Sequence, residues 1–212
     1  MELLIETEDI ILGGKKILNK ASLKLAGGNS YCVTGKNGAG KTTLMEYIAA
    51  NPNVSVRMDN KKLQPIEFKQ MMAYIPNDPP LFEMLTGYEN IHYIMALWKI
   101  KEKDRYRRKV RRYCRLLNLD KEDLARQVHT YSLGMKFKLF FIAMFSRDIR
   151  ILLLDEPFTA LDKDSRHTVF ELLKTFVNEG NILVFVTHIE EFREKLGQHI
   201  MEIEDQTVIC HW

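Results

Sequence analysis

Short apolar runs and longer amphipathic ones alternate along the chain, and their period changes by region. Leu3–Thr7, Lys16–Leu18 and Ala21–Leu25 read as strands separated by Gly13–Gly14 and Gly27–Gly28–Asn29, the punctuation of an antiparallel sheet. Ser30–Thr34 and Val54–Met58 continue the strand pattern, and Met71–Ile75 is a strand stopped by Pro76. Ile151–Leu154 and Ile182–Val186 are apolar at every position, as strands covered on both faces of a parallel sheet are. From about 79 to 145 the spacing becomes helical, with helices at Glu89–Trp98 and Asp104–Leu117. In the second of these, Tyr106, Val110, Tyr113, Cys114 and Leu117 recur in steps of three and four and so share one face. Thr42–Ala50, Asp164–Val177 (ended by Glu179–Gly180–Asn181) and Ile189–Leu196 predict further helices. Ile200–Ile203 and Thr207–Cys210 predict a closing hairpin about Glu204–Asp205–Gln206. The pattern is that of one α/β domain, 1–212, with a mostly parallel sheet at its core. An antiparallel β layer is expected at about 1–30 and 54–60, and an inserted helical subdomain at about 79–145.

Composition narrows the classes. With 212 residues, 46% apolar and 28% charged, the chain can build a core and is not a disordered one. A net charge of +3 is too small to argue for nucleic acid by itself. The cations are concentrated, however. Lys103, Arg105, Arg107, Arg108, Lys109, Arg111, Arg112 and Arg115 lie opposite the apolar face of one helix. Such a face is either solvated or a surface for nucleic acid or anionic lipid. Cys32, Cys114 and Cys210 are scattered and suit neither a disulfide framework nor a zinc site, which fits a reducing cytoplasm. Cys32 and Cys114 are expected to be core thiols. The N-terminus has no cationic stretch of a signal peptide. The densest apolar run, Leu139–Phe145, is far short of the ~20 residues that cross a bilayer. Any membrane-spanning part must then come from another chain.

The sharpest chemistry lies in Gly35–Lys36–Asn37–Gly38–Ala39–Gly40–Lys41–Thr42–Thr43, which is G-x-x-x-x-G-K-[ST] between a strand and a helix. Its glycines let backbone N–H groups fold around an anion, and the new helix adds its positive end to the same spot. Lys41 is placed to reach the β- and γ-phosphates, and the Thr42 hydroxyl to bind Mg²⁺. Asp155 follows an apolar strand, where ligands of open α/β sheets sit, and a carboxylate there can hold Mg²⁺ directly or through water. Glu156 comes next and can polarise an attacking water as general base, before Pro157 breaks the strand.

The order of these motifs resembles the ATP-binding-cassette (ABC) ATPases. Gly35–Thr43 matches the family's Walker A, and Ile151–Leu154 with Asp155–Glu156–Pro157 its Walker B. Thr159–Ala160–Leu161–Asp162 is similar to its D-loop, Thr187–His188 to its switch histidine, and Tyr131–Ser132–Leu133–Gly134–Met135 to its signature. The resemblance implies a RecA-like P-loop NTPase core that binds ATP and Mg²⁺. It also implies that two cassettes, expected to be identical, meet head to tail, each ATP lying between one Walker A and the other's signature. Ser132 would cap a helix Leu133–Phe145 and aim its N-terminus, with Gly134, at the γ-phosphate across the interface. Asp162 would lie at the dimer contact, and His188 would touch the γ-phosphate or the attacking water. Asn77, after Pro76, stands at the family's Q-loop, within the ligand set for Mg²⁺ or water.

Four departures from the family's pattern matter. Leu133 replaces the first signature glycine, Met135 replaces a Gln, and Asn77 is one methylene shorter than the usual Gln. No aromatic stands near Ile11–Leu12, where the family often stacks adenine. The expectation is a competent but slow ATPase with weak base selectivity. Tyr88, Tyr93, Phe82 and Trp98 read as subdomain packing, whereas Leu81–Phe82 beside Asn77 could be a socket for a membrane partner's helix. The resemblance implies the ATPase subunit of a transporter, working on the inner face of the membrane with a separate permease chain and no nucleic acid. The stretch Asn77–Glu89 looks like small bacterial cassettes of peptide, bacteriocin or drug export. The alternative is a soluble cassette acting on nucleic acid or ribosomes, which only the basic helix Lys99–Arg115 supports. A phosphate-loop kinase would leave Ser132–Gly134 and His188 without a role.

Overall fold

The computed structural model describes residues 1–211. The chain opens with β1 (Glu2–Glu6), β2 (Ile10–Leu12), β3 (Lys15–Leu18), β4 (Ser22–Ala26) and β5 (Ser30–Gly35), and then α1 (Lys41–Ala50). There follow β6 (Ser55–Met58), β7 (Lys61–Lys62), α2 (Pro65–Met71) and β8 (Met72–Ile75). Next come α3 (Gly87–Leu97), α4 (Lys103–Leu116), α5 (Lys121–Ala125) and α6 (Leu133–Phe145). The chain closes with β9 (Ile151–Asp155), α7 (Lys163–Asn178), β10 (Ile182–Val186), α8 (Glu190–Leu196), β11 (His199–Glu204) and β12 (Thr207–His211).

The central sheet has six strands in the order β12-β11-β5-β10-β9-β8. Every neighbouring pair in it is parallel except β11–β12. Because β9 and β10 sit inside this sheet, both faces of each are covered and every residue is apolar except Asp155, the last of β9. Leu152, Leu154, Leu183 and Phe185 face the core shared with the helices, including α4, α6 and α7. Ile151, Leu153, Ile182 and Val184 face the core shared with α1 and the second sheet, an antiparallel one of order β4-β1-β6-β7. Each fully buried Leu or Phe contributes about 1.5–3 kcal/mol, so the two-period alternation pins the register of β9, which ends in Asp155, and of β10, which leads to His188.

Helix α6 is a core element: Phe137 through Phe145 are all buried, and among them only Lys138 is charged. Phe137, Phe141, Phe145 and Phe176 follow one another with ring centroids 5.9, 4.9 and 5.5 Å apart. Tyr106, Val110, Cys114 and Leu117 are buried and Tyr113 packs at the edge of the same core, so the apolar face read from spacing is the inner face of α4. The Tyr106 hydroxyl donates to the Ala143 carbonyl at 3.0 Å, tying α4 to α6. Cys32 and Cys114 are buried, and burial pushes both thiols up to about 11.

Three details differ from the sequence reading. The strand at Lys16–Leu18 does not join the antiparallel sheet; it pairs with β2 as a separate hairpin. Met71 ends α2 rather than beginning a strand. The short helices α2 and α5 have too few turns to show a period, and a capping box starts each: Gln64 with Glu67, and Asp120 with Asp123. Among the described residues, no helix is long and apolar enough to cross a membrane.

Phe141 is wholly buried between two stacked rings, so Phe141→Ala removes a large side chain from a site that cannot collapse around it. Its cost is expected to be about 3–5 kcal/mol in a urea denaturation curve, against less than ~1.5 kcal/mol for Phe141→Leu if the core repacks.

Candidate functional site

The phosphate loop leaves the carboxyl end of β5 and enters α1. Gly35 has φ 143°, and a Cβ there would stand 2.8 Å from the Ile203 carbonyl oxygen of β11. Gly40 has φ 102°, and a Cβ would press on Ile17 of β3 at 2.9 Å. Both positions therefore require glycine for shape as well as for conformation. Gly40 is also the N-cap of α1, so no side chain covers the first amides of the helix and no acidic residue stands in its first turn. An uncapped, positively polarised helix start is what an anion needs. Lys41 Nζ folds back to donate to the carbonyls of Gly35 at 2.9 Å and Lys36 at 3.1 Å, which holds the ammonium over the loop. Lys36, Asn37, Gly38 and Thr42 are exposed, and Ala39 and Thr43 are partly so.

The carboxylates come from the end of β9, which β10 separates from β5. Asp155 is the last residue of β9, only 3% exposed, and its Oδ1 has no hydrogen-bond partner among the described residues. An orphaned buried carboxylate oxygen beside a phosphate loop fits a hard cation or its water ligand. Glu156 has a left-handed backbone, φ 50°, and its N–H donates to the Val186 carbonyl at 3.1 Å. This sharp turn at a non-glycine residue aims the side chain at the start of the loop after β10. There the His188 N–H donates to Glu156 Oε2 at 3.3 Å, and His188 Nε2 stands 3.2 Å from Oε1. Glu156 is thus held at Oε2 by the loop backbone, while Oε1, without a hydrogen bond among the described residues, lies beside the largely exposed His188 ring. Parallel pairing of Ile75 with Leu154 sets the exposed Asn77, two residues beyond β8, on the same edge of the sheet as Asp155 and Glu156.

The signature segment lies elsewhere on the chain. Ser132 Oγ caps α6 by accepting from the Met135 N–H at 3.3 Å. Leu133 is 71% exposed at the tip of the helix. A Cβ on Gly134 would fall 2.6 Å from the Ala160 carbonyl oxygen, so this glycine lets the signature touch the loop after Glu156. Asp162 caps α7, accepting from the Ser165 N–H and hydroxyl, both at 2.8 Å. It also takes a 3.1 Å bond from Lys138 of α6. These partners, the Ser165 amide first, hold its carboxyl well below the usual carboxylate range. Among the described residues, no hydrogen bond or ion pair joins Ser132, Gly134 or Asp162 to Gly35–Thr43. The two halves of the motif set therefore do not close on each other within one chain.

Sequence reasoning missed several residues that shape this surface. Asn90 is 1% exposed and clamps the segment before α3, accepting from the Phe82 N–H at 2.9 Å and donating to the carbonyls of Phe82 and Thr86 at 3.0 Å each. Lys136, on the signature helix, pairs with Glu83 of that segment. Tyr74 places a buried hydroxyl near Asp155; burial first, and the Asp155 carboxylate after it, push its pKa up. The partial signal for Asn90 was a lone polar residue among apolar ones on the inner face of a helix; the others had none. Ile11 and Leu12, at the expected adenine position, are 58% and 54% exposed on the β2–β3 hairpin.

A glycine cradle at a helix start, with a buried Asp and a following Glu at the end of another parallel strand of the same sheet, defines a P-loop nucleoside triphosphatase. The comparisons with known proteins narrow this class. The family model for "ABC transporter" matches residues 18–159, and the chain belongs to that family as an ATP-binding, ATP-hydrolysing cassette. It is 28% identical over 213 residues to the energy-coupling factor transporter ATP-binding protein EcfA1 of Thermotoga maritima, covering 98% of this chain and 80% of that one. It is 26% identical to the lantibiotic transport ATP-binding protein SrtF of Streptococcus pyogenes, covering 93% and 84%. It is 29% identical to the choline transport ATP-binding protein OpuBA of Bacillus subtilis, covering 93% of this chain but 53% of that one, so several relatives are about twice as long as the match. Its fold is that of a solved ATP-binding subunit of an ABC transporter, with TM-score 0.84, 24% identity, and 97% and 88% of the two chains covered. It is also that of the dimeric cassette MJ0796 bound to ADP and Pi, with TM-score 0.79, 21% identity, and 98% and 96% covered.

The depressed Asp162 carboxyl gives a pH test. A depressed group contributes stability that is present above its unfolded value, near about 4, and is lost as pH falls below it. The stability difference between the wild type and Asp162→Asn is expected to be constant from neutral pH to about 5 and to shrink below about 4. Urea denaturation across that range measures it, and a difference that does not change with pH would remove the charge from the explanation.

Proposed function

We propose that the chain is the nucleotide-hydrolysing subunit of an ABC transporter, acting as a head-to-tail dimer on a separate membrane permease. The observation that carries the chemistry is Glu156 held by the His188 backbone, next to the unpaired Asp155 oxygen, at the end of β9 on the same parallel sheet as the phosphate loop. The amides of Gly35–Thr43 and the Lys41 ammonium hold the β- and γ-phosphates. Thr42 and Asp155 would hold Mg²⁺, with Asn77 in reach of its water shell; when bound, the ion neutralises phosphate charge. Glu156 accepts a proton from the attacking water as the new oxygen bond to the γ-phosphorus forms and the bond to the bridging oxygen breaks. His188 orients Glu156 and turns its exposed ring toward the γ-phosphate.

The signature would complete the site from the second subunit: Ser132 and the start of α6 supply an amide end, and Gly134 keeps it against the D-loop, where Asp162 lies. Leu133 points outward at this end, so it would meet the partner's phosphates where backbone should approach them. The apolar, exposed Ile11 and Leu12 offer adenine contact without ring stacking. The permease would dock beside Leu81–Phe82, and through it the cassette would sit on the inner face of the membrane. Export of a peptide, bacteriocin or drug is the direction we favour, on the likeness to the lantibiotic transport protein.

Two experiments test this reading. Glu156→Gln keeps shape and removes the base, so with ATP and Mg²⁺ it is expected to elute as a dimer and to bring a hydrophobic membrane chain out of host membranes. A monomer under those conditions, with no membrane chain recovered, overturns the dimer and the permease together. Leu133→Gly is expected to raise kcat at least about fivefold by restoring backbone approach to phosphate, and the wild type should use GTP within about threefold of ATP in kcat/KM. An unchanged kcat together with a strong preference for ATP would mean that neither departure matters.

A further inference from the structure

A cavity of about 620 Å³ opens where β9 and β10 begin, on the edge of the central sheet opposite the phosphate loop. Five cations line it. Arg105, Lys109 and Arg112 come from one face of α4, at steps of four and three, and Arg147 and Arg150 from the link between α6 and β9. Two carboxylates share the cavity, Asp148 and Glu179. Asp148 serves both Arg105 at 3.2 Å and Lys109 at 2.9 Å. Among the described residues, Arg112, Arg147 and Arg150 have no carboxylate within ion-pair distance.

Arg147 is the telling member. It is 5% exposed, and its charge is offset by neutral groups alone. One nitrogen, Nη2, donates to the carbonyls of Lys69 at 3.1 Å and Gln70 at 3.0 Å, and the guanidinium lies 3.4 Å from the Trp98 ring centroid. Desolvation lowers its pKa to about 10, which leaves it charged at neutral pH. A buried cation without an acid, fronted by two unpaired arginines, makes a concentrated positive field in a recess. Arginine forks match phosphate oxygens two at a time.

We propose that this cavity binds a small, multiply charged phosphate-bearing anion, either free or as the headgroup of an anionic lipid. The site is separate from the nucleotide site, and a ligand in it would touch the far ends of the signature helix and of the strand that carries Asp155.

Pyrophosphate is the probe for a free anion, titrated by calorimetry into protein saturated with ADP so that the phosphate loop is filled. Binding is expected, at least about tenfold weaker in Arg112→Ala/Arg150→Ala, and retained in Lys41→Ala. Vesicles of phosphatidylcholine with phosphatidic acid are the probe for a headgroup, compared by flotation with phosphatidylcholine alone. Flotation that depends on Arg112 and Arg150, without pyrophosphate binding, assigns the site to a lipid headgroup; pyrophosphate binding without flotation assigns it to a free anion. Both arginine variants are surface substitutions, and thermal denaturation checks that they fold. The proposal fails if neither probe binds, or if binding is lost with Lys41 and kept without the two arginines.

Discussion

The structure turns on one unsatisfied group. Asp155 ends a strand whose every side chain is buried, and one of its oxygens has no partner among the described residues. Leaving a buried polar group unpaired costs about 1–3 kcal/mol, which a chain carries only where the surrounding packing over-determines it. Here β9 is clamped between β8 and β10, with Leu152 and Leu154 fixed in one core and Ile151 and Leu153 in the other. The strand cannot slide to relieve the carboxylate without turning four leucines and isoleucines to the wrong face. The same rigidity sets Glu156 in its left-handed turn and delivers it to His188. The apolar core is thus the reason the polar edge stays in place for chemistry.

The second constraint is mechanical. Gly134 meets the backbone of Ala160, and Lys138 meets Asp162, so helix α6 rests on the loop that follows Asp155 and Glu156. Asp162 at the same time starts α7. A shift of the loop after Glu156 therefore pushes on α6 and α7 together. At its other flank α6 holds the segment before α3 through Lys136 and Glu83, and Asn90 stiffens that segment. A chain of direct contacts runs from the carboxylates through α6 to the exposed Phe82, whose ring packs edge-on to Tyr93 at 4.6 Å.

Much of this was legible in the sequence because the relevant physics is local or periodic. The glycine loop carries its own conformational requirement, and the uninterrupted Ile151–Leu154 and Ile182–Val186 runs carry theirs. The inner face of α4 followed from three- and four-residue spacing. What was hidden depends on partners distant in sequence. Nothing near Lys138 announces Asp162, 24 residues away, and nothing near Tyr74 announces Asp155. Short helices such as α2, seven residues long, lack a period and are legible only from their caps. The β2–β3 hairpin was legible in Gly13–Gly14, a two-residue turn with both φ positive that closes Leu12 onto Lys15, but in the sequence those glycines read only as a break between strands of one larger sheet.

The cations of α4 show how one helix can be split between roles. Its inner face belongs to the core; Arg105 and Lys109 turn to the cavity beside Arg147, Arg107, Arg108, Arg111 and Arg115 turn the other way, toward α3, and Arg112 borders both recesses. Arg107 is matched locally by Asp104. Arg108, Arg111 and Arg115 have no carboxylate within ion-pair distance among the described residues, but they are exposed, and screening at physiological salt leaves them little reach beyond about 8 Å. A recess where cations outnumber acids and one of them is buried behaves differently, because low-dielectric walls keep its field from being screened. The sequence shows a single run of positive charge; the fold divides it between two recesses, and only the one beside Arg147 sets its arginines in front of a buried cation that has no acid partner among the described residues.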